Sequence, residues 1–219
     1  MCIRDSHYTL ALKEKHMKKS IVFILILLVL LAGYRFFFAR PTVRNAAPRG
    51  ENIICFGDSL TSGTGASENM DYPSQLSSMI STPVINAGVP GDTTVTATAR
   101  LEEDVLSKSP RMVLITLGGN DLKNRSSTEA AYQHLKEIIV AIQDQGALVI
   151  VGGISIPFWG RGFGAMYQKV CRETQALLIP NIFEGIMGDK RLMSDAIHPN
   201  DRGYALMAQK FHQAMKPYL

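Results

Sequence analysis

The chain has 219 residues, of which 46% are apolar and 19% are charged, and its net charge is +4. This composition excludes a disordered chain, a collagen-like repeat and a disulfide-rich scaffold. The positive charge lies at the start: residues 1–50 hold nine basic and two acidic residues, a net +7, whereas residues 51–219 carry −3. Because residues 51–219 contain no basic stripe, we predict no nucleic-acid partner.

The first feature along the chain is an apolar run, Ile21–Ala32, which is preceded by Met17-Lys18-Lys19 and Ser20. A positive segment before an apolar stretch of this length is typical of an export signal. We therefore expect residues 1–16 to be an extension upstream of a start at Met17. Residues 17–39 are expected to be a signal peptide or a membrane anchor. An uncleaved anchor is favoured because no clear cleavage site follows, and both interpretations predict an extracytoplasmic protein.

Residues 40–50 form a polar, proline-containing linker in this interpretation, and residues 51–219 have the size of one domain. Within the domain we predict strands at residues 52–56, 83–86, 111–117, 147–151 and 178–182. We predict helices at residues 72–80, 93–107, 128–145, 163–177 and 201–218, with Asp71 and Asp92 as N-caps of the first two. Short apolar strands that alternate with helices indicate an α/β fold with a parallel sheet covered on both faces.

Polar residues follow the strands, at the edge where open parallel sheets bind ligands. Ser59 follows the first strand, Gly88 the second and Asn120 the third, and Asp195 lies three residues before His198. A serine hydroxyl needs a base to act as a nucleophile, and a histidine oriented by a carboxylate can be that base. The N–H groups of Ser59 and Gly88 and the Asn120 amide are candidate donors to a developing oxyanion.

Four sequence blocks carry these residues: GDSL at 57–60, NAGVPGDT at 86–93, GGND at 118–121 and DAIHP at 195–199. In these blocks, their order and their spacing, the chain resembles the SGNH (GDSL-type) hydrolases over residues 51–217. It is most similar to their multifunctional thioesterase/lysophospholipase/arylesterase branch. The resemblance implies a flavodoxin-like, three-layer α/β/α sandwich with about five parallel strands.

The resemblance also implies residue roles and an activity. Ser59, Asp195 and His198 would form a catalytic triad, and Ser59, Gly88 and Asn120 would form an oxyanion hole. The implied activity is a serine ester hydrolase that cleaves small esters, thioesters or lysophospholipids through an acyl-enzyme. Two other functions stay open: an O-acyltransferase or deacetylase acting on carbohydrate, and a non-catalytic binding module.

One aromatic set, Phe158, Trp159 and Phe163, lies in the segment where that branch places a substrate loop. These side chains are candidates for substrate contacts or for local packing.

No cofactor or metal is expected, because the sequence contains no H-E-x-x-H or C-x-x-C motif. The G-x-S-x-G motif of the competing α/β-hydrolase fold is also missing. Cys55 lies in an apolar run and is interpreted as a small buried hydrophobe. A Cys55–Cys171 disulfide stays open as an alternative.

Overall fold

The structure is a computed structural model that describes residue 17 and residues 20–21, 23–31, 42–155 and 162–219. The chain divides after Thr42 into two units. In the first unit, residues 20–21 and 23–31 are helical and exposed. None of the helices described has the length and hydropathy needed to cross a membrane. The predicted extension at residues 1–16 lies outside the described residues.

The second unit is built on a sheet of five parallel strands in the order β2-β1-β3-β4-β5. The strands are β1 Asn52–Gly57, β2 Val84–Gly88, β3 Pro110–Thr116, β4 Leu148–Gly152 and β5 Leu177–Ile179. This is the flavodoxin-like strand order, in which β1 lies between β2 and β3. The prediction of an α/β fold with a parallel sheet is confirmed.

Helices cover both faces of this sheet. They are α1 Ser59–Ser62, α2 Tyr72–Ile80, α3 Thr94–Ala99, α4 Leu101–Asp104, α5 Gly119–Lys123, α6 Thr128–Asp144, α7 Phe163–Thr174 and α8 Asp201–Met215. One layer contains α2 packed against α8, and the other contains α6 packed against α3 and α7. The three layers are those of the predicted α/β/α sandwich.

The core forms where the inner strands meet the apolar faces of the helices. Almost every residue of β1, β3 and β4 is buried. The buried face of α6 contains the residues that the sequence pattern places on one side of the helix: Ala131, Leu135, Ile138, Ile139 and Ile142. The start of α2 is also as predicted, since the Asp71 carboxylate accepts from Ser74 N at 2.9 Å.

The helix predicted at residues 93–107 is wrong in its extent and its cap. Thr93, not Asp92, is the N-cap, and α3 ends before Arg100. The short helix α4 and a 3-10 turn at Leu106–Lys108 follow. The β-branched run TTVTAT has a low helix propensity, and the Arg100 side chain is bonded to strand carbonyls instead of extending into solvent. The continuous pattern therefore breaks at this residue.

Strand β5, predicted to reach residue 182, ends at Ile179, and two other helices also end earlier than predicted. Helix α7 ends at Thr174, because Gln175 takes the left-handed conformation with a φ of 57°. The C-terminal helix ends at Met215, and a 3-10 turn at Lys216–Tyr218 completes the chain.

Residues 43–50, predicted to be a linker, are bonded to the domain at the end of α6. Arg44 forms an ion pair with Asp144 at 2.6 Å. The Asn45 side chain donates to the carbonyl of Ala147 at 2.9 Å. The second unit accordingly begins at Val43, before the predicted boundary at residue 51.

Candidate active site

The site lies at the carboxyl ends of β1, β2 and β3. Gly57, the last residue of β1, pairs with Gly88 on one side and with Thr116 on the other. The chain turns immediately after Gly57, and Ser59 becomes the first residue of α1. Asp58 closes this turn as the N-cap, and its carboxylate accepts from Leu60 N at 3.0 Å.

Ser59, His198 and Asp195 form one line of hydrogen bonds. Ser59 Oγ lies 3.1 Å from His198 Nε2. On the other side of the ring, His198 Nδ1 lies 2.7 Å from Asp195 Oδ2. With the proton on Nδ1, the ring donates to Asp195 and presents Nε2 as the acceptor for the Ser59 hydroxyl. This is the geometry that a serine nucleophile, a histidine base and an orienting carboxylate would require.

The Asp195 carboxylate is held by its own loop. Asp195 Oδ1 accepts from the N–H groups of Ile197 at 2.8 Å and His198 at 2.7 Å. The hydrogen bond with the His198 ring and these two backbone bonds lower the pKa of Asp195 to about 2. The carboxylate therefore stays charged at neutral pH and keeps the imidazole in one tautomer.

Asn120 and the Ser59 N–H supply polar hydrogens beside the nucleophile. Asn120 Nδ2 donates to the Asp92 carbonyl at 2.9 Å and is 3.4 Å from Asp58 Oδ2. Within the part of the chain that the structure describes, nothing accepts from Ser59 N–H. This N–H is therefore available to an oxyanion that forms at the serine.

The structure gives Gly88 a different environment from the one that the sequence predicts. Its N–H donates to Asn86 Oδ1 at 3.0 Å, so this donor already has an acceptor. A Cβ on Gly88 would collide with the backbone of Thr61 and Ser62 in α1. Gly88 is therefore the residue that lets β2 approach the nucleophile helix closely.

A turn three residues further along offers a second glycine. Asp92 N donates to Val89 O at 3.2 Å, and Gly91 within this turn has a φ of 87°. No described residue accepts from Gly91 N–H, and a Cβ on Gly91 would meet nothing within 4 Å. The turn also contacts Asn120 through the Asp92 carbonyl. Sequence reasoning missed Gly91, although the positive φ that a Pro-Gly turn requires is a readable signal.

An apolar cleft opens beside the serine. Asp58, Ser59, Gly119, Asn120 and His198 line its polar end. Its walls are Leu60, Leu122, Ile154, Phe183, Met187 and Ile197, and Lys123 lies at the same cleft. This surface suits the acyl portion of a substrate better than a sugar ring, which would need many polar partners.

Of the aromatic set considered for substrate contacts or local packing, only Phe163 is among the described residues, and it does not line the cleft. Phe163 is the first residue of α7 and is buried in the core, because α7 turns its apolar face inward. Phe158 and Trp159 lie outside the described residues. Phe183 and Met187, which do line the cleft, follow β5 in a segment whose apolar residues resemble a strand in sequence.

Asp58, the N-cap of α1, is also a buried titratable group. The side chain is 2% exposed, and burial raises its pKa to about 7. The hydrogen bond from Leu60 N and the nearby His198 oppose this shift, and Asp92 adds to it. A carboxyl that changes charge near neutral pH therefore lies directly beside the nucleophile.

Other reactive groups do not converge on a second site within the residues described. Cys55 and Cys171 are free and buried, and burial raises the pKa of both thiols. Among residues 42–155 and 162–219, no three His, Cys, Asp or Glu side chains are placed to hold a metal ion.

The sequence profile of the GDSL-like lipase/acylhydrolase family matches residues 55–206. The chain belongs to this family. Thioesterase 1/protease 1/lysophospholipase L1 of Escherichia coli (strain K12) is 29% identical over 83% of this chain and 90% of its own length. The arylesterase of Vibrio mimicus is 28% identical over 80% of this chain and 92% of its own length. The crystal structure of TesA matches with a TM-score of 0.73 and 26% identity, over 77% of this chain and 100% of that chain.

Family membership confirms the resemblance and the enzyme class predicted from the four sequence blocks. The protein is a GDSL-type serine ester hydrolase, and its relatives do not favour acyl transfer to carbohydrate.

The raised pKa of Asp58 predicts a pH dependence of stability. Between its ordinary pKa of 3.8 and the folded value of about 7, the folded protein holds a proton that the unfolded chain has released. The free energy of unfolding should therefore fall as pH rises through this window. Asp58→Asn removes this titration. The free energy of unfolding of the variant, relative to that of the unaltered protein, should therefore increase by up to about 4 kcal/mol as the pH rises through the window. Urea unfolding at several pH values measures this difference.

Asp189 supplies a matched control for that experiment. Its pKa is lowered to about 2 by hydrogen bonds from Arg191, so Asp189→Asn should alter the pH dependence only in the acid range below about pH 4. A difference between Asp58→Asn and the unaltered protein that stays constant from about pH 4 to about pH 7 would contradict the assignment.

Proposed function

We propose that Ser59 is the nucleophile of an acyl-enzyme mechanism, with His198 as the base and Asp195 as the residue that orients it. The observation that carries this proposal is the hydrogen-bond line of 3.1 Å and 2.7 Å through the His198 ring. His198 Nε2 takes the hydroxyl proton as Ser59 Oγ bonds to the acyl carbon. Asp195 stabilises the imidazolium that results.

Acylation and deacylation each pass through a tetrahedral intermediate. His198 gives its proton to the departing alcohol or thiol, and the acyl group stays on Ser59. A water molecule attacks the acyl carbon while His198 takes its proton. The carboxylic acid leaves, and the proton returns to Ser59 Oγ. The same three side chains thus serve both stages.

Stabilisation of the oxyanion is assigned to donors on three strand ends. Ser59 N–H has no acceptor among the described residues. Asn120 Nδ2 lies in the same cleft, and of its two hydrogens one is bonded to the Asp92 carbonyl while the other makes only a long contact of 3.4 Å with Asp58 Oδ2. For the third donor, Gly91 N–H is favoured over Gly88 N–H because Asn86 already accepts from Gly88. Each donor of this kind contributes about 10²–10³ in rate.

The substrate is proposed to be an ester or thioester with an apolar acyl group. The six apolar side chains of the cleft support this, because they exclude water from an alkyl chain but offer it no hydrogen bonds. Lys123 is exposed at the cleft and would face a negatively charged alcohol or thiol portion. The names of two relatives, a thioesterase/lysophospholipase and an arylesterase, agree with this class.

The protein is also proposed to act outside the cytoplasm. Support comes from the sequence, where Lys18 and Lys19 precede an apolar run. This segment either anchors the protein or is removed, and mass spectrometry of the N-terminal peptide distinguishes the two.

Ser59→Ala should lower kcat for a p-nitrophenyl acyl ester by about 10⁵-fold or more, because no other group forms the acyl-enzyme. Ser62→Ala is the matched control, since Ser62 lies in the same short helix and its hydroxyl donates to the Ser59 carbonyl and lies 3.4 Å from Thr64 Oγ1. A fluorophosphonate should label the unaltered protein at Ser59. Unchanged turnover of Ser59→Ala, or absence of label, would contradict the mechanism and favour a binding module.

The apolar cleft predicts a dependence on acyl length. The free energy of activation calculated from kcat/KM should fall by about 0.8 kcal/mol for each added CH₂ until the cleft is filled. Ile154→Trp should fill the cleft and reduce this gain for long chains. Hydrolysis of the acetyl ester by the same variant is the internal control for folding. A flat chain-length profile in the unaltered protein would show that the cleft does not bind the acyl group.

Export is tested by expressing the full chain and fractionating the cells, with a chain that begins at Thr42 as the control. The full chain should be found outside the cytoplasm, and the truncated chain should stay inside. Mass spectrometry of the N-terminal peptide then separates an anchor from a cleaved signal. Full-length protein found only in the cytoplasm would refute the proposal.

A further inference from the structure

Arg100 is the C-cap residue of α3, and its side chain makes several polar contacts at the strand ends. Its guanidinium donates to the carbonyls of Gly57 at 2.9 Å and Ala87 at 3.0 Å. It forms ion pairs with Asp92 at 2.6 Å and Asp104 at 2.7 Å. Its side chain is only 16% exposed, so water screens these contacts little.

Each contact of Arg100 except Asp104 belongs to a segment that presents an oxyanion donor. Gly57 immediately precedes the turn of Asp58 and Ser59. Gly57 O also accepts from Val89 N at 3.0 Å, which joins β1 to the turn at residues 89–92. Asp92 completes that turn, and its main-chain carbonyl accepts from Asn120 Nδ2. One guanidinium therefore contacts the end of β1 and the end of β2 with its following turn, and it reaches Asn120 indirectly through Asp92.

We propose that Arg100 is a positioning residue for ester hydrolysis, acting through Asp92 on the Asn120 amide and through Gly57 on the nucleophile turn. This inference rests on the proposed roles of Ser59 and Asn120. Arg100 lies behind the cleft and does not line it. Its effect is therefore on the direction of the donors, not on contact with the substrate.

The chemistry of the contacts explains why arginine suits this position. A planar guanidinium with five N–H donors can serve two carboxylates and two carbonyls at once in fixed directions. It also lies 4.4 Å above the Phe56 ring, which adds a cation–π contact. A lysine ammonium has three donors and no fixed plane, so it can keep the charge but not the whole set of bonds.

A second carboxylate, Asp121, fixes the short helix α5 that contains Asn120. Asp121, which is buried beside Asn120, accepts from Thr94 N at 2.9 Å and from Thr94 Oγ1 at 2.7 Å. These bonds tie α5 to the start of α3. Arg100 then fixes the end of the same helix α3 to the strand ends.

The test is a double-mutant cycle on steady-state hydrolysis of a p-nitrophenyl ester with Arg100→Met, Asn120→Ala and the double variant. Arg100→Met should lower kcat by about tenfold to a hundredfold while KM changes little, because the misdirected donor matters mainly in the transition state. In the Asn120→Ala background the same substitution should cost much less, since the group that it positions is gone. If the two residues acted independently, the kcat losses of the two single variants would multiply in the double variant.

A ligand comparison adds a readout that a merely structural role would not move. Inhibition by a trifluoromethyl ketone, which forms an oxyanion on the serine, should weaken in proportion to the loss of kcat. Binding of the carboxylic acid product, which needs the apolar cleft, should not change. Arg100→Lys should recover part of kcat, and Asp92→Asn should reproduce the kcat defect if Arg100→Met does not fold.

Two controls separate positioning from stability. Arg44→Met breaks an ion pair with Asp144 at the end of α6 remote from the nucleophile turn, and Asp104→Asn removes the Arg100 partner that touches no donor segment. Both should retain kcat when assayed below their unfolding temperatures. Multiplicative losses in the cycle, a rise in KM alone, or equal defects in the controls would overturn the inference. Turnover by Ser59→Ala would instead refute the proposed function beneath it.

Discussion

Parallel pairing at the carboxyl ends of β1, β2 and β3 is the constraint on which the site depends. Gly57 lies beside Gly88 and Thr116, so three strands reach the same edge in register. The residues that follow these strands then emerge close together, although Ser59 and Asn120 are far apart in sequence. His198 comes from the loop before α8, where its carbonyl accepts from Ser194 N and its N–H donates to Asp195.

The same edge concentrates buried carboxylates, and each is satisfied in a different way. Asp92 is paired with Arg100, Asp121 accepts two bonds from Thr94, and Asp58 has a pKa raised to about 7 by burial. An unpaired buried charge costs several kcal/mol. These partners therefore fix the loops as firmly as the apolar core fixes the strands, and they leave the Ser59 N–H and the cleft open to a substrate.

The local apolar pattern predicts the strands and the parallel sheet, whereas the sandwich and the proposed roles of Ser59, Asp195 and His198 follow from the family resemblance that the four sequence blocks carry. The sequence does not predict which donor a glycine offers: Gly88 follows a strand as expected, but its N–H is bonded to Asn86. In the sequence Arg100 resembles a surface residue of a helix, but in the structure its guanidinium donates to two strand carbonyls. The cleft walls at Phe183 and Met187 come from a loop, where no periodicity separates core from binding surface.

The central claim is that Ser59 reacts inside an oxyanion site assembled from three strand ends. A crystal structure of the protein inactivated by an alkyl phosphonate tests it most directly, because the phosphoryl oxygen takes the place of the oxyanion. We expect phosphorus to be bonded to Ser59 Oγ. The phosphoryl oxygen should lie at hydrogen-bond distance from Ser59 N and Asn120 Nδ2, and the alkyl chain should lie in the apolar cleft. An adduct on another residue, or an oxygen directed away from both donors, would contradict it.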